Sequence, residues 1–286
     1  MSFLLVMKAE LVRSFIIMRR YWFRTITGLV LGYGMLMVLV AGFIYSREGL
    51  EERVQQFDDP SSATNFILGF IVGMFAFGVV GMFTQGLQGM AATGVLEQLC
   101  MSPHGLAVNF MAQTVVSSVA TILSSSIMVY AVTWSVGGML HWDTIPVLIL
   151  LTLTFFNLVG FGFMVGGLVL VFKQVGQVAI LVRMGLFALA IFAKEELLGN
   201  PWPFTFLLHV LPITDATICI KYVLIKGQMR DISAAGAAPE MVFSSVFAHS
   251  SFYWLIGNCL FWTFVGLTLF KLMEDYSRSK GTLGSY

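Results

Sequence analysis

Charge is what this chain of 286 residues has least of: Asp, Glu, Lys and Arg make up only 11% of it. An average soluble domain carries roughly a quarter, so a solvated globular surface is excluded. Hydrophobic residues reach 58% and the mean hydropathy is +0.87, the composition of a polytopic membrane protein. The net charge is +1, and no basic stripe alternates with aromatics, which sets nucleic-acid partners aside. Cysteine is scarce as well: Cys100, Cys219 and Cys259 are scattered and odd in number. They outline neither a disulfide framework nor a zinc site and read as small buried apolar residues. The four histidines, His104, His141, His209 and His249, have no metal spacing, so no metal is expected; His141-Trp142-Asp143 reads as an interfacial turn with an aromatic anchor. No glycine precedes Lys-Ser or Lys-Thr at phosphate-loop spacing, and no Ser/His/Asp or Cys/His grouping stands within reach. No catalytic residue is therefore expected in this chain. The first twenty-odd residues mix charge with apolar side chains, so no cleavable signal peptide is expected either.

What is present is a series of long apolar runs. A membrane-crossing helix needs roughly 20 such residues, and six runs qualify, at 25–45, 65–88, 106–139, 145–172, 174–193 and 251–272. The third exceeds the bilayer and should tilt or project. The fold expected is an all-α polytopic membrane protein, with residues 1–286 as one transmembrane domain. Residues 3–24 form an amphipathic helix: Leu4, Met7, Leu11, Phe15, Met18 and Trp22 recur at helical spacing, opposite Glu10, Arg13, Arg20 and Arg24. Such a helix lies in the membrane interface; its five basic residues argue against the start of a span.

Lysine and arginine set the orientation. Lys8, Arg13, Arg19, Arg20, Arg24, Lys173, Arg183, Lys271, Arg278 and Lys280 fall inside if the amino terminus is cytoplasmic. Arg47, Arg53, Lys194, Lys221, Lys226 and Arg230 fall outside. Both termini are then cytoplasmic, which requires an even number of spans.

Residues 194–250 do not fit a plain loop. Pro201-Trp202-Pro203 opens an apolar piece that Leu211-Pro212 breaks; a second piece runs from Ala216 to Ile225, with Thr214 or Asp215 able to cap it and Gly227 to close it. Each piece is about half a bilayer long. They read as two outer re-entrant half-helices over 201–227, before the last span; two surface amphipathic helices are the alternative. Residues 233–239 read as a small-residue external loop.

Polar groups inside spans are costly and so become functional candidates. Gln85, Asn109, Gln113 and Asn157 are these candidates. They either make interhelical hydrogen bonds, worth about 1 kcal/mol each, or line a path. No buried carboxylate pair or relay accompanies them. Gly28 and Gly32, Gly69 and Gly73, and Gly162 and Gly166 are each four apart, which suits close helix packing or a dimer seam.

One short stretch stands apart. Gly94-Val95-Leu96-Glu97-Gln98-Leu99-Cys100-Met101-Ser102-Pro103 lies between two long apolar runs. Val95, Leu96 and Leu99 can share one side of a two-turn helix, with Glu97 and Gln98 on the other. Pro103 and Gly105 end it. An ordered element where a loop would do reads as a docking helix outside the membrane.

This run resembles the Gly-Thr-Leu-Glu-Gln-Leu-Leu-Val-Thr/Ser-Pro pattern of the membrane (permease) subunits of type-2 ATP-binding-cassette (ABC) exporters. Leu211-Pro212-Ile213-Thr214 is similar to that family's Leu-Pro-Leu-Thr segment before the last span. The chain departs from the pattern at Val95, where Thr is usual, and at Met90-Ala91-Ala92-Thr93, where many relatives carry charge. The resemblance implies that 94–103 is a cytoplasmic coupling helix, with Gly94, Leu96, Glu97, Gln98, Leu99 and Pro103 contacting an ATPase subunit. It implies that Arg13, Arg19 and Arg20 touch that ATPase or lipid headgroups. ATP and Mg would be bound by the partner ATPase, with no cofactor in this chain. A second permease copy, identical or related, and membrane lipids would complete the partners. The location implied is a bacterial inner membrane. The cargo expected is an amphipathic small molecule, lipid or lipid-linked glycan moved outward. An ion-gradient-driven secondary transporter and a non-transporting assembly protein are the rival readings.

Overall fold

The computed structural model describes residues 2–48, 60–101, 105–136, 144–172, 176–193, 202–226, 244–247 and 249–280. Within them the chain is helical, and no strand occurs among the described residues. In a bilayer only a helix or a closed barrel satisfies every backbone amide and carbonyl internally, so apolar runs of this length become helices. The elements are α1 (Ser2–Arg20), α2 (Trp22–Glu48), α3 (Pro60–Ala92), α4 (Val95–Cys100), α5 (Gly105–Val136) and α6 (Thr144–Val171). They continue as α7 (Gly176–Phe192), α8 (Trp202–Val210), α9 (Thr214–Lys226), α10 (Ser244–Phe247) and α11 (Ser250–Ser279).

Among the described residues, four helices are long and apolar enough to cross a membrane: Asn65–Ala92, Val108–Ala131, Ile145–Val171 and Ser250–Ser279. The count is five if α8 and α9, bent by 84°, form one broken span. The other two expected spans are represented by shorter apolar stretches, Thr25–Val38 in α2 and Gln177–Phe192 in α7. The interfacial turn at 141–143, the loop at 233–239 and Pro103 lie outside the described residues.

The centre is α3 and α6, with α11 laid against α6 and α7 against α3. Missing side chains set these contacts. At Gly160 and Gly266 a Cβ on either helix would overlap the backbone of the other, so α6 and α11 meet backbone to backbone. A Cβ on Gly69 would stand 2.6 Å from the Ala190 carbonyl oxygen, and one on Gly73 would stand 2.8 Å from the Phe187 ring. Gly166 likewise admits Leu87 and Phe83. These glycines are therefore used within the chain, as close-packing residues. Phe83, Phe110, Phe163 and Phe270 then join four helices, with edge-to-face rings 4.8 Å apart for Phe83–Phe163 and 5.2 Å for Phe83–Phe110 and Phe163–Phe270.

The amino-terminal α1 packs on α5 through a narrower face than the sequence pattern implies. Val6, Met7, Glu10 and Ser14 are half-buried. Leu11, Phe15, Met18 and Trp22 stay exposed, so most of the apolar stripe remains open to its surroundings.

Candidate functional site

Two places combine unusual backbone with polar side chains: the short helix between α3 and α5, and the corner between α8 and α9.

The first begins where α3 ends. Thr93 folds its hydroxyl back onto the Gly89 carbonyl at 2.9 Å, and Gly94 takes a φ of 71°. That left-handed conformation costs an L residue about 1–2 kcal/mol, so glycine is the residue that lets the chain turn. α4 follows, touching both α3 and α5. Leu99 is half-buried against the core. Val95 is exposed rather than turned inward, and so are Gln98 and Met101. The side chains of Leu96 and Glu97 are outside those described. On α1, Arg13 pairs with Glu10 at 3.1 Å while staying largely exposed, and Arg19 and Arg20 are exposed.

The second place is made by Pro212. Proline lacks an amide, and its ring would strike the carbonyl of Leu208 if the helix ran on. The chain therefore tightens, with the Leu211 amide donating to Leu208 O at 3.3 Å. It restarts when the Thr217 amide and hydroxyl donate to Ile213 O at 2.9 and 2.8 Å. Ile213, not Thr214 or Asp215, thus supplies the first carbonyl of α9. The break frees carbonyls that a buried backbone must pair. Neighbouring helices supply the donors. Trp262 Nε1–H of α11 donates to Val210 O at 2.8 Å. Asn258 Nδ2–H, also of α11, donates to His209 O. Asn157 Nδ2–H of α6 donates to Pro212 O at 2.8 Å.

The corner is also closed by a buried side-chain pair. His209 Nδ1 lies 2.9 and 3.1 Å from the two carboxylate oxygens of Asp215. The Trp254 ring stacks on His209 at 4.7 Å. Asp215 occupies the first turn of α9, the end where the helix dipole favours negative charge. Farther along α9, the Lys221 ammonium donates to the carbonyls of Ala190, Ile191 and Ala193 at 3.3, 3.2 and 2.8 Å. It caps the carboxyl end of α7, where cations are favoured. Side chains of α6, α9 and α11, with the end of α7, thus hold one bent backbone, and a shift of these helices must carry the corner with it.

The remaining candidates are spread out. Asn157 is fully buried at the corner. Asn109 and Gln113 are half-buried on α5, and Gln85 is exposed on α3. No group of three or more potential metal ligands occurs among the described residues. Sequence reasoning missed the roles of Arg183 and Lys221 by counting them only toward the orientation of the chain. Arg183 is buried within α7 and Lys221 within α9. One comes from each side of the charge count, so its sign is unchanged. A charge inside the apolar run Gln177–Phe192 was the available signal for Arg183. His209 and Asp215 gave less: six residues apart across a break, they meet only because the corner bends.

A family model described as ABC-2 type transporter matches residues 6–225, from α1 to the end of α9. No curated protein and no solved structure matches the chain.

Proposed function

The chain belongs to the ABC-2 type transporter family, as an integral membrane permease component, and from that premise we propose that it is the permease subunit of an exporter. Families of this kind pair the permease with an ATP-binding-cassette subunit. In the proposed assembly that partner binds ATP and Mg and hydrolyses the nucleotide. The permease moves an amphipathic small molecule, lipid or lipid-linked glycan outward. It crosses a bacterial inner membrane six times, with α2 and α7 counted among the spans. Both termini and α4 face the cytoplasm, and α8 and α9 form a re-entrant pair on the outer side. A second permease copy closes the path, the open apolar stripe of α1 lies in the membrane interface, and Arg13, Arg19 and Arg20 touch lipid headgroups or the ATPase.

The observation that carries this reading is α4. A left-handed Gly94 detaches six ordered residues from α3, and α4 then touches both α3 and α5. A push on Gln98, Val95 or Glu97 from a partner would reach two long apolar helices at once. Leu96, Leu99 and Pro103 would complete the contact. Gln85, exposed on α3, is the span amide best placed to face a path.

The test is affinity purification of the tagged chain in mild detergent, with and without Glu97→Arg. An ATPase subunit should co-elute with the unchanged chain and be depleted from the variant, while membrane insertion of both is equal. Transport that follows an ion gradient with no ATPase in the eluate would sink the exporter reading.

A further inference from the structure

Arg183 is the one guanidinium buried within a membrane helix among the described residues, and nothing above gives it a role. It lies about 10 Å along α7 from Gly176 at 1.5 Å per residue and is 4% exposed. Its Nε–H donates to Phe77 O at 3.0 Å, and its head lies over the Phe77 ring, 3.7 Å from the centroid. Gly81 leaves room for it, since a Cβ there would stand 2.5 Å from Nη2. Among the described residues no carboxylate pairs with it, and neither Nη1 nor Nη2 has a protein acceptor. A buried cation without a counter-charge is costly, and one carbonyl with one ring compensates only part of that cost. The two free terminal nitrogens form the fork that takes a phosphate or carboxylate in bidentate fashion.

The adjoining face of α3 opens onto a cavity of about 310 Å³ between α2, α3 and α5. That volume is at the lower end of ligand pockets, roughly 300–1,000 Å³. Its wall is apolar through Leu29, Met35 and Met74, with Thr121 and Ser124 adding hydroxyls. Gly78 lines it too. Residues on a helix turn by about 100° each, so Met74 and Gly78 face the cavity while Phe77 and Gly81 face α7 and Arg183. Gly78 is bare on that ridge, with nothing within 4 Å of an added Cβ. An apolar chain in the cavity can therefore run across Gly78 to a head group at the guanidinium.

We propose that Arg183 and the α2–α3–α5 cavity form one binding site for an anionic single-chain amphiphile, with the chain in the cavity and a phosphate-type head on Arg183. That the amphiphile is cargo rests on the exporter reading. Binding is a property of this chain alone, so its failure and that of the exporter reading are told apart by the co-elution experiment.

The full-length chain is placed in phosphatidylcholine nanodiscs and titrated with dodecyl phosphate, uncharged dodecyl glucoside and inorganic phosphate, with empty discs subtracted. Unchanged protein should favour dodecyl phosphate over both others. Arg183→Gln should weaken dodecyl phosphate about tenfold or more, the loss expected for a charge-assisted hydrogen bond, and leave dodecyl glucoside unmoved. Gly78→Leu keeps the charge and starts its side chain in open space, so its thermal midpoint should not fall. It should weaken both dodecyl probes by blocking the chain. Dodecyl phosphate binding to Arg183→Gln within about twofold of the unchanged protein would overturn the site, as would equal affinity for inorganic and dodecyl phosphate. If Arg183→Gln does not fold, Gly78→Leu decides: undiminished dodecyl phosphate binding by that folded variant removes the cavity from the site.

Discussion

Replacing Trp262 by Phe keeps an aromatic ring against Phe161, which meets it edge-on at 4.9 Å, but deletes the N–H that pairs Val210 O. A buried carbonyl left without a donor costs about 1–3 kcal/mol. Interhelical hydrogen bonds measured in bilayers average about 0.6 and reach about 1.7 kcal/mol, so about 1–2 kcal/mol is expected, with the smaller ring adding to it. Asn157→Leu provides a contrast. It also strips a donor, from Pro212 O, yet it removes the Asn157 Oδ1 atom, which is buried without a protein partner. The two changes oppose, so its net cost should stay below about 1 kcal/mol. The assay is reversible unfolding of the purified chain in mixed micelles, with each variant referred to the unchanged protein. Trp262→Phe should be the more destabilised. If both variants unfold within about 0.3 kcal/mol of the parent, about the spread of additive distant sites, the corner carbonyls find other partners and the pairing argument fails. The reverse order would show that packing of Asn157, not hydrogen bonding, dominates there.

Gly266→Ala should prevent α6 and α11 from docking, because its methyl would overlap the Gly160 backbone, and little folded protein should survive extraction. Gly257→Ala, on the same helix with open space around it, should be neutral or stabilising by about 0.5–1 kcal/mol, as read by thermal unfolding side by side. Lys221→Met should leave the α7 carbonyls of Ala190, Ile191 and Ala193 uncapped and cost about 1–3 kcal/mol; amide exchange at the end of α7 should rise with it. His209→Phe retains a ring on Trp254 but removes the hydrogen bond that His209 makes with the Asp215 side chain, a change of about 1–3 kcal/mol. Adding Asp215→Leu should recover much of that loss, and a double variant no more stable than the single one would refute the pairing.

The long apolar helices are legible because 20 or more apolar residues in a row have few other stable forms in or out of a bilayer. The break at Pro212 is legible for a local reason, a missing amide and a ring that cannot fit a helix. What surrounds the break is not local. Asn157, Asn258 and Trp262 reach it from 49 to 55 residues away in sequence, and nothing in their own neighbourhoods marks them as its donors. Thr214 reads as a cap by residue type, yet its hydroxyl is buried without a protein partner and Ile213 takes the cap position. The glycine pairs are equally two-sided: spacing of four shows that something approaches closely, and only the fold shows that α7 approaches Gly69 and Gly73.

The surface left open by this packing is uneven in a way that bears on function. On α5 the exposed side is Val119, Leu123, Ile127, Tyr130 and Trp134, and on α11 it includes Leu260, Phe261 and Phe264. Bulky apolar groups of that kind match lipid tails. α3 differs: 67% of its apolar window is buried, against 22% for α5 and 28% for α11. Its exposed strip is Met74, Gly78, Gln85 and Gly89, spaced so that they share one face. Met74 and Gly78 line the apolar cavity, whereas lipid gives the Gln85 amide no partner. The Gln85 and Gly89 end of the strip suits protein or water, where the proposed assembly puts its second copy and its path. Arg183 and the cavity flank the same strip through Gly81 and Gly78. The corner of α8 and α9 instead closes on itself through His209 and Asp215 and takes its carbonyl donors from α6 and α11. The polar groups of this chain thus divide by what they do physically. At the corner they pair freed backbone, and along α3 they remain available to something that arrives.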